Sequence, residues 1–233
     1  MLKHIFDIWR QVLSYKILNV KYNHIYSQNQ KSYVYRCEWA TNGSQADIEY
    51  HDKEWGVPVH SDKKLFELVL LETAQAGLSW SIILKKREGY RRAFDGFDAD
   101  RVANYDERRI EQLMADPSVI RNRLKIQSAI SNAKAFIKLQ QEYGSFDSYL
   151  WSFVDGKPRH NHWKSLIEVP SRTEISDVLS KARKKKGFVF VGSTICYSLM
   201  QAVGMVNDHV VQCFRYKDLI SMKRDSSLRS IPI

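Results

Sequence analysis

FELVLLETAQAGLSW, residues 66–80, decides how the rest of the chain is read. Between Leu65 and Leu84 the only ionisable side chains are Glu67 and Glu72. At helical period Leu65, Leu68, Val69, Glu72 and Ala76 share one stripe, which puts Glu72 on an apolar face. A carboxylate there must be paired, hydrogen-bonded, raised in pKa or placed in a ligand pocket. The plain alternative is a helix glutamate that reaches water or a lysine, and this stretch alone favours that alternative. Gly77 can close the helix in a left-handed turn and Ser79 can open the next one. Glu72, the small-residue turn at Gly77-Leu78, and Trp80 therefore converge on one place.

Outward from this stretch the pattern is almost wholly helical. Ser61 can cap a helix ending near Ala76, and residues 79–94 read as a second. Asp98 and Asp106 cap two shorter helices, and Asp116-Pro117-Ser118 is a break. A long helix with Ile126, Ile130, Ala133 and Ile137 on one face ends at Gly144. Residues 146–154 form a short helix, and 155–172 a loop-rich connection. Thr173 opens a helix through Lys186, and a last one spans 193–203, closed by Gly204. Strand-like alternation is confined to Phe188-Val189-Phe190-Val191. The fold class is all-α.

At 233 residues the chain can bury a sizeable core. No apolar run is long enough to span a bilayer. Cys37, Cys196 and Cys213 are too few and too scattered for a disulfide framework, which implies a reducing, cytoplasmic setting. The net charge of +10 suggests a polyanion partner. Much of it lies in residues 1–36 and 217–233, so nucleic-acid binding must rest on local clusters. Residues 1–36 read as a loosely held N-terminal extension, with a short amphipathic helix suggested by Ile5, Ile8, Trp9, Val12 and Leu13. The body spans 37–216 and a C-terminal tail 217–233.

Three constellations carry chemistry. His209 and Cys213, four residues apart, fall on one face of a helical turn, a usual zinc-ligand offset. Cys37 and His51 lie near the other end of the body. Each pair alone is close to background, but a converging Cys2His2 set leaves no open coordination position, which makes the metal structural. Cys196 reads as a core residue, and His160 and His162 as exposed. Trp39, Tyr50, Trp55 and Trp80 flank these segments and the Glu72 helix. Flat rings beside an acid suit a cationic or electron-poor ring, while packing in the core is the competing reading for Trp39 and Trp55. Lys85-Lys86-Arg87 and Arg121, Arg123 and Lys125 are basic clusters near helix starts, where free backbone N–H groups also favour phosphate. Lys181 to Lys186 reads as a solvated basic helix end.

The blocks RCEW, YHDKEWGVP, DKKLFELVLLE, QAGLSW, LKKRE, LWSFV and KKKGFVFVGSTICYSLMQAVGMVNDHV, with Cys213, occur in an order that resembles the DNA-3-methyladenine glycosylase I family. This is the zinc-containing branch of the helix-hairpin-helix DNA glycosylases. The resemblance runs from Arg36 to about Tyr216. It implies a two-lobed helical bundle of the helix-hairpin-helix type, with one structural zinc per chain clipping the ends of the body together. It implies a monofunctional hydrolase that removes N3-methyladenine from double-stranded alkylated DNA, with a monomer as the default. The family's metal ligands fall on Cys37, His51, His209 and Cys213, its essential acid on Glu72, and its base-pocket aromatics on Tyr50 and Trp80 with Trp39 nearby. Its DNA-wedging turn falls on Gly77 and Leu78, and Arg121 and Arg123 are the expected DNA contacts of the hairpin.

Two departures stand out. Asp47 replaces a family tyrosine three residues before Tyr50, and the hairpin Ser118–Leu124 lacks the family's glycines. These motivate an alternative: a zinc-stabilised DNA-binding protein of the same fold with lost or narrowed catalysis. A zinc hydrolase is a weaker third reading, because it needs an open metal position.

Overall fold

In the computed structural model, residues 34–222 are described, and the expected amphipathic helix over residues 5–13 lies outside them. The chain divides after Tyr35, and the helical body is the unit that begins at Arg36. Among the described residues there are eleven α-helices: α1 Glu38–Thr41, α2 Gln45–Lys53, α3 Asp62–Gln75, α4 Trp80–Ala93, α5 Ala99–Ala103, α6 Glu107–Ala115, α7 Arg123–Tyr143, α8 Phe146–Trp151, α9 Glu174–Lys185, α10 Ser193–Ala202 and α11 Phe214–Ser221. The all-α expectation holds. Local chemistry sets the helix boundaries. Asp98, Asp106, Asn122 and Ser145 accept N-cap hydrogen bonds from the backbone N–H three residues on, at 2.8–3.1 Å. Gly144 closes α7 with φ of 81°.

Helix α3 is the axis of the body. Every residue from Leu65 to Ala74 is buried, so this helix has no solvent face over most of its length. It packs against α4, α7, α8 and α10. Its first residue, Asp62, accepts hydrogen bonds from the backbone N–H groups of Phe146 and Asp147, both at 2.9 Å, which seats α8 on the start of α3. The apolar side chains of these helices join one contiguous cluster, and Cys37, Val210 and Cys213 form a small second one.

The pattern-based reading missed one element and misjudged another. Arg159–His160 (β1) and Val206–Asn207 (β2) pair as a two-residue parallel ribbon, too short to leave a periodic signature. Phe188 to Val191 forms no strand. Asn132 of α7 bonds Val189 instead, accepting from its N–H at 2.8 Å and donating to its carbonyl at 3.1 Å, and so takes the place of a strand partner. Gly204 follows α10 with φ of +73°, and a Cβ there would lie 2.4 Å from the Val57 carbonyl carbon. Glycine thus lets the end of α10 meet the backbone of the Val57-Pro58 segment, beside the candidate site.

Candidate active site and metal centre

Two glutamates on α3 resolve the burial problem in opposite ways. Glu67 is 3% exposed and accepts from Arg87 at 2.7 Å, Lys64 at 3.2 Å and Arg91 at 3.3 Å. Arg87 also forks onto Glu54 with two contacts of 2.7 Å, and these bonds outweigh burial to hold Glu54 at about 2. Glu72 is 4% exposed, and its Oε2 has no hydrogen-bond partner among the described residues. Burial pushes the Glu72 carboxyl up to about 8, with the Arg183 guanidinium pulling the other way. The expected apolar-face position of Glu72 is confirmed, and it is not an ordinary helix glutamate reaching water.

Glu72 borders a cavity of about 260 Å³. Trp39 of α1, Tyr50 of α2 and Trp80 at the start of α4 supply aromatic walls, as does the ring of Trp55, while α10 adds the polar side chains Ser198 and Gln201. Gln75 completes the α3 side one turn from Glu72. The Tyr50 and Trp80 rings lie 5.2 Å apart, and Trp39 stands 6.4 Å from Tyr50 and 5.1 Å from Trp55. Burial, and then Glu72, hold the Tyr50 phenol well above its usual pKa, so it stays a neutral O–H. Trp80 Nε1 is a buried donor with no partner among the described residues. Two residues that line a flat-walled cavity thus carry, respectively, a buried acceptor and a buried donor without a partner among the described residues, an arrangement expected beside a ligand site.

Trp39 and Trp55 serve both of the roles weighed for them. They line the cavity, and they also pack on the cluster formed by Cys37, Val210 and Cys213. Sequence reasoning missed Gln75, Ser198 and Gln201 as cavity walls; their helical position opposite the aromatics was the available signal. It also misplaces Arg183. The run Lys181 to Lys186 reads as a solvated helix end, yet Arg183 is 1% exposed, stacked 4.6 Å over the Phe188 ring, with Nε and Nη2 unpartnered among the described residues. Its place on the inner stripe of α9, four residues after buried Leu179, was the sign.

Asp47 does not enter the cavity. It is the N3 residue of a capping box on α2, accepting from the backbone N–H and the Oγ of Ser44, both at 2.7 Å. It also accepts from Ser81 Oγ at 2.8 Å, which ties α2 to α4 beside Trp80. Burial would raise its pKa, but the Ser44 and Ser81 bonds lower it, so the acid is consumed in supporting the aromatic wall.

Behind Trp39 and Trp55 the ligating atoms of Cys37, His51, His209 and Cys213 lie within 4.8 Å of one another, all buried. Cys37 and Cys213 are N-cap residues of α1 and α11, and His51 lies on α2. His209 and Cys213 meet through a turn after β2, where the spacing had suggested a helical face. The sulfur-to-nitrogen separations are 3.4 Å for Cys213 to His51 Nε2, 3.4 Å for Cys213 to His209 Nδ1 and 3.6 Å for Cys37 to His209 Nδ1. Tetrahedral coordination with Zn–S near 2.3 Å and Zn–N near 2.0 Å requires about 3.5 Å between such ligand atoms. The outer nitrogens are also engaged. His51 Nδ1 donates to Asp52 Oδ1 at 2.8 Å, and His209 Nε2 donates to the Trp55 carbonyl at 3.1 Å. Each bond fixes the tautomer whose free lone pair faces the cluster. Arg36 in turn holds Asp52 through contacts of 2.8–3.0 Å. Without a cation the sulfur of Cys213 and burial push the Cys37 thiol far up, while hydrogen bonds from Cys37 and the two histidines lower Cys213. The residues fit a tetrahedral metal with no coordination position left open.

Gly77, with φ of +76°, is exposed and Leu78 half-buried in the turn between α3 and α4. Arg121 is exposed and forms no ion pair with a described residue. Arg123 is held by Glu107 and Glu111 of α6, so at the start of α7 it bridges two helices. Lys125, read with them as a phosphate contact, instead turns back to the end of α3. The segment 118–124 packs against α4 at Gly89, where a Cβ would lie 2.5 Å from the Ser118 carbonyl oxygen.

Fold and cavity together define a helical protein with an aromatic-walled cavity beside a buried carboxyl, and a Cys2His2 cluster able to hold a metal ion behind the aromatic wall. The family of methyladenine glycosylases matches residues 39–216, and the chain belongs to this family. DNA-3-methyladenine glycosylase 1 of Escherichia coli (strain K12) is 51% identical over 181 residues, covering 78% of this chain and 96% of that protein. A crystal structure of 3-methyladenine DNA glycosylase I superposes with a TM-score of 0.75 at 50% identity, covering 77% of this chain and 98% of the other. A Staphylococcus aureus structure described as the basis of 3-methyladenine recognition gives 0.73 at 36% identity, covering 76% and 94%.

Proposed function

We propose that this chain is a DNA base-excision glycosylase that hydrolyses the N-glycosidic bond of N3-methyladenine in double-stranded alkylated DNA. The observation that carries this reading is the unpaired, buried Glu72 carboxyl in an aromatic-walled cavity of about 260 Å³. Pockets for drug-sized molecules run about 300–1,000 Å³, so this one suits a single base better than a whole nucleotide.

N3-methylation makes adenine cationic and weakens its bond to the sugar, so the leaving group needs little acid assistance. What the protein must supply is extrusion of the nucleotide, which costs a few kcal/mol, and selection of the base once it is out of the stack. Tyr50 and Trp80 offer stacking surfaces, worth about 1–3 kcal/mol per base, with Trp39 beside them. Glu72 selects by charge. With a pKa of about 8, ionising it at pH 7 costs about 1.4 kcal/mol, which a cationic ring beside the carboxylate offsets and neutral adenine does not. As the bond breaks, its electrons neutralise the base and the positive charge passes to the sugar. A carboxylate at the cavity edge favours that oxocarbenium, which water then captures. Among the described residues no lysine lines the cavity, in keeping with hydrolysis that leaves the strand uncut.

Gly77 and Leu78 act as the wedge that holds the gap in the duplex, as apolar wedges do elsewhere. The segment α6–turn–α7 serves as the hairpin that grips one strand, with Arg121 free for phosphate and Arg123 after release from its glutamates. Cys37, His51, His209 and Cys213 hold one Zn²⁺, which joins the segment at the start of the body to the one at its end. With four protein ligands the ion supplies structure and no activated water. Residues 37–216 form the catalytic body, working as a monomer in the cytoplasm. Among the described residues no helix is long and apolar enough to cross a membrane. Of the two departures behind the reading of a zinc-stabilised DNA-binding protein with lost or narrowed catalysis, Asp47 is absorbed by a helix cap, and the hairpin without glycines is the other.

The test is incubation with methylated duplex DNA and chromatography of the freed bases. Release of 3-methyladenine by the native protein, and retained DNA binding without release by Glu72→Gln, are the expected results. Absence of any freed base from the native protein refutes the proposal.

A further inference from the structure

In the turn Ala76-Gly77-Leu78 the residue at the apex is not fixed by packing. Gly77 is exposed, and a Cβ placed on it would meet nothing within 4 Å. Polar contacts hold the turn. The Lys125 ammonium, from the first turn of α7, donates to the Ala74 carbonyl at 2.8 Å and to the Ala76 carbonyl at 2.7 Å. Gln75 Nε2 donates to the Leu78 carbonyl at 3.0 Å, and the Leu78 N–H donates to the Gln75 carbonyl at 2.6 Å. The last carbonyls of a helix lack intrahelical partners and sit at the negative end of its dipole, so an ammonium there meets both needs. The Lys125 side chain spans α7 and α3, and Lys125 lies four residues after Arg121 and three after the Asn122 cap.

We infer that Lys125 is a positioning residue for duplex opening: it fixes the wedge turn at Gly77-Leu78 in register with the strand-gripping segment 121–123. This deepens the proposed function and rests on it. Two parts of the surface that address DNA, a turn that enters the stack and a segment that holds the backbone, lie on different helices. Opening a duplex requires that they act at a set separation, because force at the wedge is transmitted only if the strand is held. One ammonium, bonded to the last turn of α3 at Ala74 and to the wedge turn at Ala76, provides that separation. Neither carbonyl belongs to a cavity-lining residue, although Gln75 between them lines the cavity, so an assay with free base is what separates extrusion of the nucleotide from recognition of the base.

The experiment compares Lys125→Met and Lys125→Arg with the native protein in two assays. The first is kcat/KM for release of 3-methyladenine from methylated duplex DNA. The second is affinity for free 3-methyladenine, read from tryptophan fluorescence. Lys125→Met is expected to lower duplex excision at least tenfold and leave free-base affinity within twofold. Lys125→Arg, which keeps donors for both carbonyls, is expected to recover most of the loss. A double-mutant cycle with Leu78→Ala is expected to be non-additive, with Leu78→Ala costing little once Lys125 is gone. Unchanged duplex excision, a parallel loss of free-base affinity, or strict additivity with Leu78→Ala each overturns the inference. A native protein that releases no 3-methyladenine refutes the functional reading itself, which keeps the two failures apart.

Discussion

Replacing Glu72 by Gln is expected to stabilise the protein, and to do so more as the pH rises. A carboxyl whose pKa climbs on folding holds its proton more tightly in the folded state. Stability is therefore highest below the unfolded value of 4.5 and falls as pH approaches the folded value of about 8. Applied to those two values, linkage gives a penalty of about 1 kcal/mol at pH 5, about 3 at pH 7 and about 4 at pH 8. Gln does not titrate, and its unpartnered amide resembles the protonated acid in size and polarity. The constant part of the substitution cancels when the two proteins are compared across pH, as do contributions of histidines that both carry.

The measured quantity is the gap in unfolding free energy between Glu72→Gln and the native protein at pH 5 and pH 8, from denaturant titration. An increase of about 3 kcal/mol is expected. In thermal melts this corresponds to a gap that widens by about 6–12 °C, at about 2–4 °C per kcal/mol for a body of this size. The same variant loses base release, so stability and activity move in opposite directions. A gap that stays constant between pH 5 and pH 8 would mean that Glu72 is already satisfied in the folded protein, and the electrostatic account of base selection would be wrong.

Other perturbations probe the neighbouring groups. Arg183→Leu removes a buried cation that pulls the Glu72 pKa down, so the pH at which kcat/KM for base release reaches its alkaline plateau should move up; because Arg183 has unpaired donors, the variant should unfold no more easily than the native protein. Cys213→Ser, or prolonged chelation, should release close to one zinc per chain and lower the melting temperature. A Cys213→Ser protein that melts like the native one and loses only turnover contradicts a structural metal. Arg87→Met removes the guanidinium shared by the buried Glu67 and the neighbouring Glu54, leaving Lys64 to both and Arg91 to Glu67, and should cost up to about 3 kcal/mol in chemical denaturation, the low end for breaking a buried pair.

Glu72 and the metal-type residues were marked in the sequence without being decided by it: the stretch around Glu72 alone favours an ordinary helix glutamate, and each Cys–His pair alone is close to background. An acid on an otherwise apolar stripe, and four Cys and His residues able to converge, each demand an explanation that local structure cannot supply. Helix ends were legible through their caps, since Asp98, Asp106 and Thr173 act on backbone groups within four residues. What escaped depends on where long side chains reach. Lys125 belongs to a basic cluster in sequence, yet its four-carbon stem carries the ammonium back to carbonyls some fifty residues earlier. Arg183 stands in a run of lysines that face solvent, and only its register with Leu179 distinguishes it. The departure at Asp47 looked chemical because family comparison placed it in the pocket. Its role as a capping residue follows from Ser44 three positions earlier, a signature that was present but outweighed by the resemblance.

The contrast between Glu67 and Glu72 argues that the cavity acid is left unpaired by design of the surroundings and not by a shortage of cations. Arg87, Arg91 and Lys64 all gather on Glu67, about one and a half turns earlier on the same helix. Arg183, buried nearby, lowers the Glu72 pKa without reaching its Oε2. A guanidinium forked onto Glu72 would stabilise the empty protein and occupy the atoms that a cationic base needs. In the proposed function, keeping the charge partner at a distance leaves a carboxyl that is mostly protonated near neutral pH, so that arrival of a positive ring draws out its ionised form. Selection against ordinary adenine then comes from the cost of ionising Glu72 with nothing to neutralise it, which is the property the pH comparison measures.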